Sequence, residues 1–501
     1  MKDIIRRDLR LSYLLGPFRI VVPILGYIIL YPVILSRYDA SILGLWSLLA
    51  VIPQALSSID FGFSLVLTRI VGGAEGDELD AAAAKYRTAQ KAFLLIWPIL
   101  ILLAVGICIA VPMGHLDYSV PGIQFSIVLM AFAVIVQRLA ALDTAILNGL
   151  GDNYFTHSVA VWSPILYFGT AVGGALAGMP IEALSVGFLA ASAVSWWAYR
   201  RRLRIRHTQW SATIVSPAQA AQLRSIRALM REGWLLYAAS LGIMLRDPIL
   251  RYSIGLSIGL DAVAIYEVAM RLGRIGRDIV TAGFSALYAS FAVLIRQQET
   301  QELREITGNA MLLLCLFGGG LIGGTFLFAP TLLQFWLGDI ATQMVEPTRI
   351  VCAWAAVTLL NTPFWYQLLA GQSERHAARA IWLHTLSVAL IVPAALWMDF
   401  GLNSVLLYWL AGSILTQVYL FYYAEKLYGL VIATFSSVAI ATVIIVQLLS
   451  VAILLALISQ GTLTPFVATA IFGLIVVALL VINKRTVLGL ISSTHVDRPA
   501  D

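Results

Sequence analysis

Residues 434–459, TFSSVAIATVIIVQLLSVAILLALIS, and 464–483, TPFVATAIFGLIVVALLVIN, contain no charged side chain. Each is long enough to cross the bilayer core as a helix, which takes about 20 mostly apolar residues. Neither alternates apolar and polar positions, as the strands of a membrane β-barrel do. They read as two membrane-spanning helices joined by a short turn. The same ruler gives twelve further candidates, at roughly 14–35, 41–68, 92–113, 122–147, 155–178, 181–199, 233–255, 262–292, 309–331, 348–370, 377–398 and 403–423. The expected fold is therefore an all-α polytopic membrane protein of about fourteen helices.

Bulk composition agrees. The 501 residues are 60% hydrophobic and 12% charged, and the mean hydropathy is +0.87. An average soluble domain is about 25% charged. These values exclude a soluble globular protein, a disordered chain and, despite a net charge of +6, a nucleic-acid-binding protein. Cys108, Cys315 and Cys352 lie in separate apolar runs without a CxxC pair, so neither a disulfide framework nor a zinc site is expected. The N-terminal MKDIIRRDLRLSYLLGPFR leads into an apolar run that carries Arg19 and lacks a small-x-small cleavage site. It reads as a retained first helix, not a signal peptide.

The loops orient the set. With the N-terminus inside, 24 of the 33 basic residues fall on cytoplasmic segments and their edges, against Arg37 and Arg349 outside. The positive-inside rule favours that orientation strongly. It puts both termini in the cytoplasm and leaves every external loop short. The longest loop, 200–232, opens with RRRLRIRH and holds eight arginines. Within it Ser216-Pro217-Ala218-Gln219 has the form of a capping box. Beyond that, Leu223, Ile226 and Met230 share one helical face and Arg224, Arg227 and Arg231 another. This is an amphipathic helix for the inner membrane surface or a basic linker that fixes topology.

Short matches recur at nearly constant offset. Pro23-Ile24-Leu25-Gly26-Tyr27 resembles Pro248-Ile249-Leu250-Arg251-Tyr252, Gly44-Leu45-Trp46 resembles Ala264-Ile265-Tyr266, and Leu147–Asn153 resembles Leu369–Arg375. They point to a duplicated six-helix unit, whose copies are related by an axis along the membrane normal. The expected organisation is an N-terminal lobe (1–199), a basic linker (200–232), a C-terminal lobe (233–430), two extra spans (431–483) and a cytoplasmic tail (484–501).

Charges within spans are expensive, at least about 2.5–3.5 kcal/mol each on insertion scales. Seven arginines, Arg19, Arg138, Arg246, Arg251, Arg271, Arg274 and Arg277, and five acids, Asp60, Asp143, Asp247, Glu267 and Asp278, fall there. Glu267, Arg271, Arg274 and Asp278 follow i, i+4, i+7, i+11 spacing on one helical stripe. The stripe reads either as a cationic cavity wall or as a self-neutralised seam between helices. Guanidinium groups stay charged when desolvated and suit phosphate, so the arginine surplus points to an anionic, phosphate-bearing substrate. Burial and neighbouring arginines push carboxyl groups in opposite directions, which makes the five acids candidates for ion or proton coupling. The sequence contains no P-loop and no HExxH helix. No cofactor or metal is expected, and energy must come from an ion gradient, the membrane potential or the substrate gradient.

Three motifs carry a family resemblance. Gly44-Leu45-Trp46 with Ile59-Asp60-Phe61-Gly62 is similar to the second-span signature of polysaccharide flippases. Ala264-Ile265-Tyr266-Glu267-Val268-Ala269-Met270-Arg271-Leu272 is similar to their eighth-span pattern, and Phe335-Trp336-Leu337-Gly338 to an aromatic-Leu-Gly ending common there. The chain thus resembles the polysaccharide flippases, of O-antigen or exopolysaccharide type, in the multidrug/oligosaccharidyl-lipid/polysaccharide exporter superfamily. It departs from many relatives in lacking a proline late in the eighth span, where it reads Phe284-Ser285-Ala286-Leu287. The resemblance implies flipping of an undecaprenyl-pyrophosphate-linked oligosaccharide across a bacterial inner membrane. It also implies membrane lipids, a polymerase and other polysaccharide-assembly proteins as partners. A peptidoglycan-precursor flippase and an ion-coupled multidrug exporter of the same fold are the alternatives. A membrane polymerase or ligase fits less well, because the longest external loop, 332–347, is short.

Overall fold

The computed structural model describes residues 18–57, 122–206, 241–242, 244–284, 291, 294–371, 374–398 and 400–483, with scattered positions between 64 and 102. Among these residues every regular element is helical, and seven helical stretches are long and apolar enough to cross a membrane. Asp60, Cys108 and the 217–231 segment lie outside the described residues. The described chain divides into two compact units, 1–264 and 265–501.

The first unit contains α1 (Phe18–Arg37), α2 (Ala40–Ser57), α3 (Ile123–Gly149), α4 (Asn153–Leu176), α5 (Pro180–Arg206) and α6 (244–257). Helix α5 packs along both α3 and α4, α1 lies on α4, and α2 on α3. Two tight turns create this hairpin stack. Gly151 and Gly178, at φ +81° and +89°, occupy the left-handed region that a side chain disfavours. The α3–α5 seam contains a buried Ser185–Ser126 hydroxyl hydrogen bond of 2.8 Å. In a bilayer such small polar residues join helices that hydrophobicity alone does not drive together.

Helix α5 exceeds the expected sixth span of 181–199, running on through Arg206. Arginine is a good helix former, and two of the added arginines find carboxylate or hydroxyl partners inside the unit, as described below.

The second unit continues α7 (Leu260–Gly283), most of which lies within it, followed by α8 (Thr300–Leu313) and α9 (Gly320–Leu337). A π-turn at Leu314–Gly319 joins α8 and α9, so the expected 309–331 span is part of a longer helical rod. The expected 348–370 span is instead two helices, α10 (Val345–Leu359) and α11 (Thr362–Ala370), separated at Leu360–Asn361. Pro363 enters α11 in its first turn, where its missing N–H costs nothing. Then come α12 (Glu374–Met398), α13 (Leu402–Tyr428), the single turn α14 (Val431–Phe435), α15 (Val438–Ser459) and α16 (Pro465–Ile482). Helix α13 packs on α10 and α12, while α15 and α16 pack on α9. Glycine makes that last contact close: a Cβ on Gly323 would lie 2.5 Å from the Phe472 ring.

Candidate functional site

Helix α7 carries the charged stripe. Its first half is buried on several sides through Val263, Tyr266, Val268 and Ala269, which fixes the direction of the polar positions. Both i, i+4 pairs form. Arg271 Nε donates to Glu267 Oε1 at 2.7 Å, and the Glu267 side chain is fully buried while Arg271 is 30% exposed. Arg274 Nε donates to Asp278 Oδ2 at 2.8 Å, with both groups about one-third exposed. Arg277 turns to other helices. Its Nη1 donates to Thr358 Oγ1 on α10 at 3.2 Å, its Nη2 lies 3.3 Å from Asp278, and its guanidinium sits 4.6 Å over the Trp354 ring. Three guanidinium groups thus lie beside two carboxylates within 267–278, and Asp261 in the first turn makes the charges of the helix equal in number.

The first unit holds the remaining predicted residues in three separate places. On α6, Arg251 is buried and pairs with Asp247 at 2.9 Å; it also donates to Ser47 Oγ on α2. Arg246 lies half-buried one turn earlier. On α3, Asp143 is fully buried, accepts a hydrogen bond from the Tyr86 hydroxyl and lies 3.5 Å from Arg200 Nη1. Arg138 is half-buried on the same helix. Arg19 is exposed on α1 and bonds to His157 Nδ1 on α4 at 2.7 Å.

Several partners were not signalled by the sequence. Trp354 and Thr358 for Arg277, Ser47 for Arg251, and Tyr86 and Arg200 for Asp143 come from other helices, with no fixed spacing to reveal them. The Arg202–Asp152 pair, with contacts of 2.6 and 2.9 Å, likewise spans fifty positions. Span histidine His384 bonds Ser413 at 2.8 Å in a buried seam, a packing role. The pentapeptide Gly255-Leu256-Ser257-Ile258-Gly259 has the Gly-x-Ser-x-Gly spacing of a hydrolase elbow. It is the end of α6, not a strand-to-helix turn, and Ser257 Oγ donates to the Ser253 carbonyl at 2.7 Å. The strained geometry that such a nucleophile needs is lacking there.

Long apolar helices in this number define a multi-pass membrane protein. The chain belongs to the polysaccharide biosynthesis protein family, whose sequence profile matches residues 20–294, more than half of its length. The fold is that of MOP-superfamily transporters. The structure is similar to that of the lipid II flippase MurJ in an inward closed conformation, with a TM-score of 0.65 at 13% identity over 97% of this chain and 99% of that one. It is also similar to an inward-facing MATE multidrug-resistance transporter, with a TM-score of 0.59 at 13% identity over 85% and 96% of the two chains. A MOP-superfamily transporter from Pyrococcus furiosus gives a TM-score of 0.55 at 14% identity, over 85% and 96%. No curated protein sequence matches the chain significantly.

Proposed function

We propose that this protein flips an undecaprenyl-pyrophosphate-linked oligosaccharide, the repeat unit of a surface polysaccharide, from the cytoplasmic to the outer leaflet. The observation that carries the reading is the arginine cluster on α7, where Arg271 and Arg274, each paired with a carboxylate four residues away and about one-third exposed, lie within two helical turns of Arg277. Guanidinium groups remain fully charged when desolvated, and their planar fork of donors suits phosphate. Membership of the polysaccharide biosynthesis family supports the substrate class. In this reading Arg271 and Arg274 hold the pyrophosphate, joined along its path by Arg277, Arg246, Arg251, Arg138 and Arg19. Asp247, Glu267, Asp278, Asp60 and Asp143 are the candidates for ion or proton coupling. The lobes 1–199 and 233–430 alternate access, the 200–232 linker joins them, and both termini lie in the cytoplasm of a bacterial inner-membrane protein.

A peptidoglycan-precursor flippase is the second reading, favoured by the likeness to MurJ over nearly the whole chain. A cationic-drug exporter is disfavoured by the arginine excess. The test replaces Arg271 and Arg274 separately by Ala, with Lys at each for comparison. The expected result is loss of surface polysaccharide at normal membrane abundance, with partial rescue by Lys. Normal polysaccharide from both Ala variants overturns the proposal. Loss of cell-wall synthesis in place of surface polysaccharide would select the second reading.

A further inference from the structure

The basic run Arg200-Arg201-Arg202-Leu203-Arg204-Ile205-Arg206 ends α5, and helical phase sorts its arginines by role. Tyr199 and Leu203 are buried. Arg200 turns inward, donating to the Tyr86 hydroxyl at 2.5 Å beside Asp143. Arg202 also turns inward, bonding Asp152 with two donors and lying over the Phe155 ring. Arg201 and Arg204 are exposed, and among the described residues neither forms an ion pair. They share a stripe with Trp197, at i, i+4 and i+7. Trp197 is 59% and Ile205 66% exposed. Arg201 lies 5.2 Å over the Trp197 ring.

This outward stripe has the parts of a lipid-headgroup site. It stands at the end of an apolar helix long enough to span the bilayer. Tryptophan at such an end settles at the headgroup level, and Ile205 adds apolar surface for acyl chains. Two guanidinium groups with no carboxylate in ion-pair contact among the described residues offer bidentate hydrogen bonds to a phosphodiester. Cation–π contact with Trp197 holds Arg201 against the helix, which lowers the entropy cost of binding. Inward arginines cannot serve, because buried acceptors hold them.

We propose that Trp197, Arg201 and Arg204 form a binding site for the phosphodiester headgroup of an anionic bilayer phospholipid. The site is independent of the transported substrate. Phosphatidylglycerol and phosphatidylcholine share acyl chemistry and differ in net charge, so together they isolate the headgroup.

The experiment uses the purified full-length protein in detergent micelles, titrated with either lipid and read by native mass spectrometry and by the thermal unfolding midpoint. Wild type is expected to bind phosphatidylglycerol in preference. The Arg201→Gln/Arg204→Gln variant should lose roughly thirtyfold in that affinity, at about one surface-arginine contribution each, with an unchanged midpoint in phosphatidylcholine. Arg204→Gln alone should lose roughly fivefold. Arg200→Gln should do the opposite, lowering the midpoint in both lipids while keeping the preference. Equal binding of both lipids by wild type overturns the site. So does wild-type phosphatidylglycerol affinity in the double variant, or displacement of the lipid by millimolar inorganic pyrophosphate, which would mark a soluble-anion site.

Discussion

Arg277 lies with its guanidinium 4.6 Å over the ring of Trp354, and Trp354 stacks in turn on Trp409 at 4.6 Å with 26° between the planes. Three helices, α7, α10 and α13, meet in that column. Arg274 is held differently, by Asp278 on its own helix. Arg277 is thus the arginine of α7 that fastens the helix to its neighbours. A double-mutant cycle of Arg277→Gln and Trp354→Leu, read by thermal unfolding of the purified protein, should give a coupling of about 0.5–2 kcal/mol. Additive effects would mean that ring and cation do not support each other.

Glu267 and Arg271 separate structure from transport. Glu267 is fully buried and accepts from Arg271 Nε at 2.7 Å. Neutralising one partner of a buried pair costs about 3–5 kcal/mol, and the partial exposure of Arg271 should bring the cost of Glu267→Gln to the lower end. Glu267→Gln/Arg271→Gln restores a neutral hydrogen-bonding pair. The double variant should recover most of the lost midpoint yet export no polysaccharide. Restored export alongside restored stability would show that the charge of Arg271 is dispensable.

The seven membrane-length helices among the described residues were legible because the bilayer imposes one length and one composition on every crossing helix. That rule cannot see a break at matched hydropathy, which is why Leu360–Asn361 was read through. It also stops at charge, so it ended the sixth span at 199 when α5 continues to Arg206. The α7 pairs were legible because both partners sit four residues apart on one helix. Arg251–Ser47 and Asp143–Tyr86 were not, because their spacing is set by packing between helices distant in sequence.

Two glycines of the first unit should respond to alanine in opposite directions. A Cβ on Gly44 would lie 1.9 Å from the backbone carbonyl oxygen of Leu260, an atom that no rotamer change removes. Overpacking of this kind costs about 1–3 kcal/mol, so Gly44→Ala should lower the unfolding midpoint. A Cβ on Gly173, inside α4, meets nothing within 4 Å. Gly173→Ala should raise the midpoint, since Ala is favoured over Gly in a helix interior by about 0.5–1 kcal/mol. Equal responses would indicate that α2 and the Leu260 backbone do not touch as described.

Asp143 offers a choice between a coupling carboxylate and a structural pin. Its side chain has no solvent exposure and is met by Tyr86 and Arg200. Tyr86 also accepts from Gln90 Nε2 at 2.6 Å and from Arg200, so one hydroxyl ties three side chains together. Tyr86→Phe removes the donor to Asp143 and the acceptor for the Gln90 amide and the Arg200 guanidinium at once. It should cost about 1–3 kcal/mol, the penalty of leaving buried polar groups unmade. Asp143→Asn keeps the shape and an acceptor for Tyr86 but takes away the charge beside Arg200, so its cost should be at the lower end of the about 3–5 kcal/mol of a broken buried pair, as for Glu267→Gln. If Asp143 is a pin, export per folded molecule stays normal in both variants and only abundance and midpoint fall. The complete burial of Asp143 leads us to expect that outcome. Loss of export in Asp143→Asn at an unchanged midpoint would reverse the assignment and make the carboxylate a coupling group.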